Sequence, residues 1–458
     1  MAGQSGEALV NVSELINGRP LGSPQIRIFI LCGLVALLDG FDLQSIGLAA
    51  PSIAAALHIP PPQLGTVFSA ALAGLMVGAF GLGPVADRFG RKAVLVGATL
   101  LFGIFTVCTA FASSFNELLI FRFLTGVGLG GAMPSFISLA SEYSPKHLRA
   151  TIVALLWAGF PLGGAIGGLL ASRMLPAYGW QSLFYAGGIL PIVLTLLLII
   201  SLPESIGFLV NSGSPAELIR RVLNRVMPGL DIPANARFQL HERRETGTPI
   251  RHLFDQGRAA GTVLLWISYF IAFMMLVTNS AWTPTLLRQG GVEVTQTAIA
   301  LATFNGLSVI GSGAAGYLIT RFGAVAVLPA TLLGGAVAYG LIGYAAPSIS
   351  AITFLEGLFG LFVGCASSGL IALAPLLYPT AVRSTGVGWA MGMGRFGSFV
   401  GPLVVGALLA RQLPVSAIFM VIGIPGIIAA ISAAMVGTRY ARGEQGAEVR
   451  SRGDEIAA

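Results

Sequence analysis

Charged side chains are scarce in this sequence. Only 10% of its 458 residues are Asp, Glu, Lys or Arg, whereas a typical soluble domain has about 25%. Because 55% of the residues are hydrophobic, the composition excludes an ordinary soluble protein and indicates a membrane protein. The net charge of +7 comes from basic residues dispersed over several predicted loops, so we expect no nucleic-acid partner.

Cysteine and histidine are also rare. Cys32, Cys108 and Cys365 fall in apolar stretches without metal-ligand spacing, and we interpret them as small hydrophobic residues. The four histidines fall in predicted loops, and no His, Cys and carboxylate cluster has the spacing of a metal or catalytic site. The phosphate-binding motif Gly-x-x-x-x-Gly-Lys-Ser/Thr is missing, which argues against ATP hydrolysis as an energy source. We therefore expect neither an enzyme nor a bound cofactor.

Long apolar runs, by contrast, are abundant. Each has about 20 residues, the length of a helix that crosses roughly 30 Å of hydrocarbon. The twelve runs lie near 26–49, 64–85, 93–112, 117–140, 150–172, 181–202, 261–287, 296–319, 324–345, 350–374, 385–410 and 415–436. Most Lys and Arg residues fall on one side of the membrane if the N-terminus is cytoplasmic, which predicts that both termini are cytoplasmic.

The runs form two sets of six, separated by a polar segment. This pattern predicts an all-α polytopic membrane protein of two six-helix halves. The predicted divisions are a cytoplasmic tail 1–25, a first half 26–202, a cytoplasmic linker 203–258, a second half 259–436 and a cytoplasmic tail 437–458. Within the linker, residues 215–227 are predicted to form an amphipathic helix that lies against the membrane.

The two halves also share a sequence repeat. A shift of 233 residues aligns 83–90 with 316–323, and a shift of 234 matches Arg149 with Arg383. Two parallel repeats of this kind are typical of transporters that bind a substrate near the midplane, between the halves, and expose it alternately to the two sides. The repeat therefore predicts transport by alternating access.

Two acids, Asp39 and Asp42, lie near the middle of the first apolar run. A carboxylate in hydrocarbon costs several kcal/mol unless it is protonated, paired or faces water, so it indicates a functional site. Because the two acids are three residues apart, they share one helix face, which must point into the bundle. We hypothesise that one takes up the coupling proton and the other orients substrate or gates. The alternative is a structural pair held by an arginine or by helix ends.

Two intramembrane arginines are candidates for binding an anion. Arg395 lies near the middle of the eleventh run, and its planar guanidinium matches a carboxylate. We predict that it anchors the substrate, unless it forms a permanent salt bridge with an acid such as Asp42. Arg122, in the fourth run, is predicted to pair with Asp39 or Asp42 or, alternatively, to extend outward from a helix end.

Further candidates lie in the same runs. Glu356, which matches Arg122 at a shift of 234, is either a second pathway acid or an outward-facing residue. Aromatic and amide side chains that are suited to hold a ring and its hydroxyl group are Trp157, Phe160, Tyr269, Phe273, Asn279, Phe304, Asn305 and Trp389. The glycine-rich stretch 159–168 is interpreted as a helix-packing surface.

The loop Gly83-x-x-x-Asp87-Arg88-x-Gly90-Arg91-Lys92 resembles the signature loop of the major facilitator superfamily. Within that superfamily, Asp39-Gly40-x-Asp42 and the stretch 377–389 are similar to the aromatic acid:proton symporter family. This resemblance implies a bacterial inner-membrane protein, acting as a monomer, that imports a hydroxybenzoate-like carboxylate together with protons. A proton-driven exporter of drugs or metabolites is the alternative, since the glycine-rich fifth run is similar to that of such antiporters. A channel is disfavoured by the repeat.

We predict that charged residues at the cytoplasmic helix ends form a gate of breakable ion pairs. The predicted gate consists of Gly83, Asp87, Arg88, Gly90, Arg91, Glu142, Arg149, Arg321 and Arg383. In the second copy of the loop, Thr320 replaces the acid that members of the family often keep, and Ala324 replaces Arg91. The two halves are therefore expected to contribute unequally.

Overall fold

The computed structural model describes residues 8–229, 236–239, 250–255, 258–378 and 382–436. Apart from one pair of short parallel strands, the regular elements of these residues are helices. In chain order they are β1 Ala8–Asn11, α1 Val12–Asn17, α2 Ser23–Ala56, α3 Leu64–Phe89, α4 Arg91–Thr109, α5 Phe115–Glu142, α6 Arg149–Tyr178, α7 Gln181–Ser201, α8 Ile206–Asn211, α9 Ala216–Val226, β2 Ala236–Gln239, α10 Ala259–Gln289, α11 Val294–Phe322, α12 Ala324–Ala345, α13 Ile349–Leu377, α14 Arg383–Ala410 and α15 Val415–Gly423.

Most of these helices are long enough to cross a bilayer. Among the described residues, eleven helical segments from α3 onward have the length and composition of a membrane span; the last of them, Val415–Val436, begins with α15 and extends beyond it. The shortest of them, α4, has 19 residues, which at 1.5 Å per residue gives about 29 Å. The first predicted run falls within α2, a further helix of 34 residues that carries Asp39 and Asp42. The prediction of an all-α polytopic membrane protein is confirmed.

The described residues group into two compact units. The first unit contains those of 1–42, 70–163 and 180–244, and the second contains those of 43–69, 164–179 and 245–458. The division falls inside α2, α3 and α6, so each of these helices contributes one part to each unit.

The linker helix predicted at 215–227 is present as α9, but its apolar face does not lie against the membrane. Ile219, Leu223 and Val226 are buried in one apolar cluster of the first unit together with Val12 and Ile16 of α1. The expected orientation was wrong because this face packs into the core of the first unit, next to which β2 pairs in parallel with β1. The apolar side of α9 therefore packs against protein, not against lipid.

Helices α2 and α6 cross closely in the first unit. A Cβ added at Gly163 would overlap the carbonyl oxygen of Leu37, and one added at Gly40 would overlap that of Phe160. Small residues allow backbones in membranes to approach in this way. The interpretation of the glycine-rich stretch as a packing surface is confirmed at Gly163.

We expect Gly163→Val to lower the melting temperature of the purified protein, because overpacking a close contact costs about 1–3 kcal/mol. The matched control is Gly97→Val in α4, where an added Cβ meets no atom within 4 Å. Thermal unfolding in detergent measures both variants. Equal melting temperatures would contradict the packing role.

Candidate functional site

The first unit contains a buried ion pair between α2 and α5. The guanidinium of Arg122 donates two hydrogen bonds to Asp42, from Nη1 to Oδ1 at 3.0 Å and from Nη2 to Oδ2 at 2.6 Å. Both side chains are 1% exposed. The structure therefore pairs Arg122 with Asp42, and the alternative in which Arg122 extends outward is wrong, because its charge is compensated inside the protein.

The pair has one further hydrogen bond and one open position. The hydroxyl of Thr106 in α4 donates to Oδ1 of Asp42 at 3.2 Å. Nε of Arg122, in contrast, has no acceptor among the residues that the structure describes. A proton on Asp42 would remove the negative charge that holds the guanidinium, and breaking a buried pair on one side costs about 3–5 kcal/mol. The arrangement is thus able to respond to protonation.

Asp39 lies one turn before Asp42. Its side chain is also buried and interacts with neighbouring residues. Two predicted aromatic residues of α6 belong to the same unit. Phe160 is half-buried and its backbone lies against Gly40, between the two acids in sequence. Trp157, three residues earlier on α6, is half-buried as well. These aromatic residues are therefore on the helix that crosses the acidic segment of α2.

In the second unit, Arg395 is half-buried on α14. Tyr269 and Phe273 of α10 stack with ring centroids 5.9 Å apart and an interplanar angle of 3°. Gly394, the residue before Arg395, lies against both rings. Six residues before Arg395 on the same helix, Trp389 stacks on Trp266 at 5.7 Å. The structure thus places Arg395 one residue after the point where α14 contacts the stacked rings of α10.

The remaining ring and amide candidates lie at other positions of the second unit. Phe304 is 2% exposed and stacks on Phe359 at 5.4 Å, which indicates a packing role. Asn305 donates from Nδ2 to Oε1 of Gln44 at 2.9 Å and is buried. Asn279 donates to Glu356 at 2.9 Å. Glu356 is 0% exposed, so the alternative of an outward-facing acid is wrong.

Where α4 begins and α5 ends in the first unit, Arg91 forms an ion pair with Glu142. The carboxylate of Glu142 also accepts hydrogen bonds from the hydroxyl of Ser205 at 2.6 Å and from the backbone N–H of Gly207 at 3.1 Å. These contacts therefore connect two of the predicted gate residues, Arg91 and Glu142, with the start of α8. Since Ser205 also caps α8 by accepting from the N–H of Phe208, this contact is part of an ordered helix start.

Sequence reasoning missed Glu204, which lies between α7 and α8. Its Oε1 accepts the backbone N–H of Lys92 at 2.9 Å, at the beginning of α4, where a negative charge complements the helix dipole. The phenol of Tyr143 donates to the backbone carbonyl of Glu204, and burial raises the pKa of this phenol, so it stays a donor. The signal in the sequence that could have identified Glu204 is an acidic residue just after the sixth apolar run, on the same predicted side of the membrane as the basic signature loop.

The other predicted gate residues are more exposed. Asp87 and Arg88 are exposed, and the guanidinium of Arg88 lies over the ring of Phe89 at 5.5 Å. Arg321 of the second unit is exposed as well. Gly83 and Arg149 are half-buried, and the side chain of Arg383 lies outside the described part of the chain.

Gly90 has a backbone φ of +101°, and an added Cβ would overlap the carboxylate of Glu204. We expect Gly90→Ala to destabilise the loop by about 1–3 kcal/mol, because a non-glycine residue is strained in this conformation. Initial uptake rates in proteoliposomes should fall relative to Gly81→Ala, a control position with open space around it. An unchanged rate and melting temperature would contradict the role of this contact.

Comparison with known proteins shows the family and the fold. The sequence profile described as Major Facilitator Superfamily matches residues 32–290 and 265–455. The chain is 37% identical to a 4-hydroxybenzoate transporter, PcaK, of Pseudomonas putida, over 93% of the chain and 96% of that protein. It is 36% identical to a gallate transporter of Pseudomonas putida, over 93% and 95%. The fold is similar to the partially occluded inward-open xylose transporter XylE from E. coli, with a TM-score of 0.69 and 20% identity over 89% of this chain and 98% of that one.

Proposed function

Because the chain belongs to the aromatic acid transporters of the major facilitator superfamily, we propose that it imports a monoaromatic carboxylate by proton symport. The observation that carries the proton part is the buried, bidentate ion pair between Asp42 and Arg122. Intramembrane acids of this kind mark proton pathways, and this one already has a partner that its protonation would release.

The coupling step is a change in the state of this pair. When Asp42 is charged, it neutralises Arg122 and joins α2 to α5. When Asp42 takes up a proton, its electrostatic attraction for the guanidinium falls. Arg122 can then form hydrogen bonds to another acceptor. Asp39, buried one turn away, orients the substrate or gates the site. The protein then moves between outward-open and inward-open states by alternating access.

The substrate site is centred on Arg395. The guanidinium offers two parallel N–H donors to a carboxylate, and the stacked rings of Tyr269 and Phe273 lie against Gly394, the residue before it. The two relatives are named for transporting 4-hydroxybenzoate and gallate, which are both hydroxylated monoaromatic acids. A hydroxybenzoate-like anion is therefore the proposed substrate.

Symport also follows from the charge of the substrate. A monovalent anion that enters a negative interior is opposed by roughly 2.3 kcal/mol per 100 mV. One accompanying proton cancels this cost, and further protons drive accumulation. We propose that the protein works as a monomer in the bacterial inner membrane, with both termini in the cytoplasm and with the proton as its only coupling ion.

The test is uptake of radiolabelled 4-hydroxybenzoate and related acids into proteoliposomes, with and without an inward proton gradient. Accumulation that collapses with a protonophore is expected. Extrusion of a cationic dye without uptake of any acid would instead favour the exporter. Flux that never concentrates the acid would favour a channel.

A further inference from the structure

The second unit contains a buried carboxyl group that the coupling step does not use. Glu356 of α13 is 0% exposed, and its Oε2 accepts the side-chain N–H of Asn279 at 2.9 Å. The hydroxyl of Thr283 donates to Oδ1 of Asn279 at 2.8 Å, so the chain Thr283–Asn279–Glu356 joins α10 to α13. Oε1 of Glu356 has no hydrogen-bond partner in the part of the chain that the structure describes.

The charge environment of this carboxyl differs from that of Asp42. Among the described residues, no Lys or Arg forms an ion pair with Glu356. Helix α10 faces it with the uncharged Asn279, and α12 contributes the phenol of Tyr339. On the adjoining turn of α13, Phe359 packs between Tyr339 and Phe304 of α11, so the surroundings are otherwise aromatic.

The sequence repeat shows that the two halves differ at this position. Arg122 and Glu356 occupy matching positions at a shift of 234, on the fourth long helix of each predicted half. In one half that residue is paired with an acid, Asp42 of α2, and in the other with an amide, Asn279 of α10. A buried carboxyl without a cation is stable in a membrane protein only if it holds a proton or meets water.

We propose that Glu356 is a second proton-binding site, where the proton is bound at Oε1 while Oε2 accepts the amide of Asn279. Binding joins a proton from water to the carboxylate, and release returns it to water. The neutral acid keeps α10 and α13 together without a buried charge. Release leaves a carboxylate that must be hydrated, so it requires α10 and α13 to separate locally.

The first test needs no substrate. Infrared spectra of the purified full-length protein, recorded as a function of pH, detect the carbonyl stretch of protonated carboxyl groups. We expect the wild type to show a titrating band that is lost in Glu356→Gln and kept in Glu293→Gln, an exposed control acid of the same unit. Glu356→Asp should keep a titrating band at a shifted frequency. If Glu356→Gln and wild type have the same bands, the proposal is wrong.

The second test measures the role of this site in transport and rests on the proposed proton symport. In proteoliposomes, Glu356→Gln should still exchange substrate but lose one step from the pH profile of uptake, and Glu356→Asp should restore it. An unchanged profile would overturn the role in transport. If the wild type transports no aromatic acid while the infrared band is present, the proposed function fails and the proton site stands.

Discussion

Replacing Asp42 with asparagine is expected to abolish accumulation of the substrate against its gradient, while downhill exchange of the substrate stays measurable. Asparagine cannot carry the coupling proton, and it leaves the charge of Arg122 buried without a counter-ion. Removing one partner of a buried pair costs about 3–5 kcal/mol, so the variant should also unfold at a lower temperature. Uphill uptake and thermal unfolding measure the two effects.

A second variant separates coupling from stability. In the double variant Asp42→Asn/Arg122→Gln, no uncompensated charge is left, so most of the lost stability should return without any return of uphill uptake. Glu217→Gln, an exposed acid of α9, is the control for loss of a carboxylate. If Asp42→Asn and Asp39→Asn both accumulate substrate as the wild type does, the assignment of the coupling proton to this segment is refuted.

Replacing Arg395 with lysine is expected to weaken substrate binding roughly 10–100-fold, seen as a higher KM for uptake. The positive charge stays, but lysine lacks the planar pair of donors, and a hydrogen bond to a charged group is worth about 1.5–3 kcal/mol. The neutral variant Arg395→Gln should bind more weakly still. Saturation kinetics of uptake, or binding to the purified protein, measure the change.

The matched control is Arg411→Lys, at the C-terminal end of the same helix, where the side chain is exposed and has no assigned role. Its KM should equal that of the wild type. If Arg395→Lys keeps the wild-type KM, bidentate anchoring at this position is wrong. A fall in rate at constant KM would instead indicate that Arg395 takes part in the conformational change.

The class of protein and its general plan could be predicted from the sequence because they depend on properties that are local along the chain. Apolar runs of about 20 residues must span a bilayer as helices, since lipid offers no partners for free backbone groups. The signature loop at 83–92 and the 233-residue repeat are likewise visible without a structure. The same holds for the conclusion that Asp39 and Asp42 must face the interior.

The choice of partners depended on contacts between residues far apart in sequence, and only the tertiary structure decided it. Residues 80 positions apart form the Asp42–Arg122 pair, and no spacing rule selects Asp42 over Asp39. Glu204 is a site residue only because the end of α7 lies beside the start of α4. An amphipathic pattern shows that one face of α9 must be buried, but it does not distinguish lipid from the apolar core of the first unit, where this face is found. Local sequence sets which groups need partners in a membrane, whereas the packing of the helices determines which partners they find.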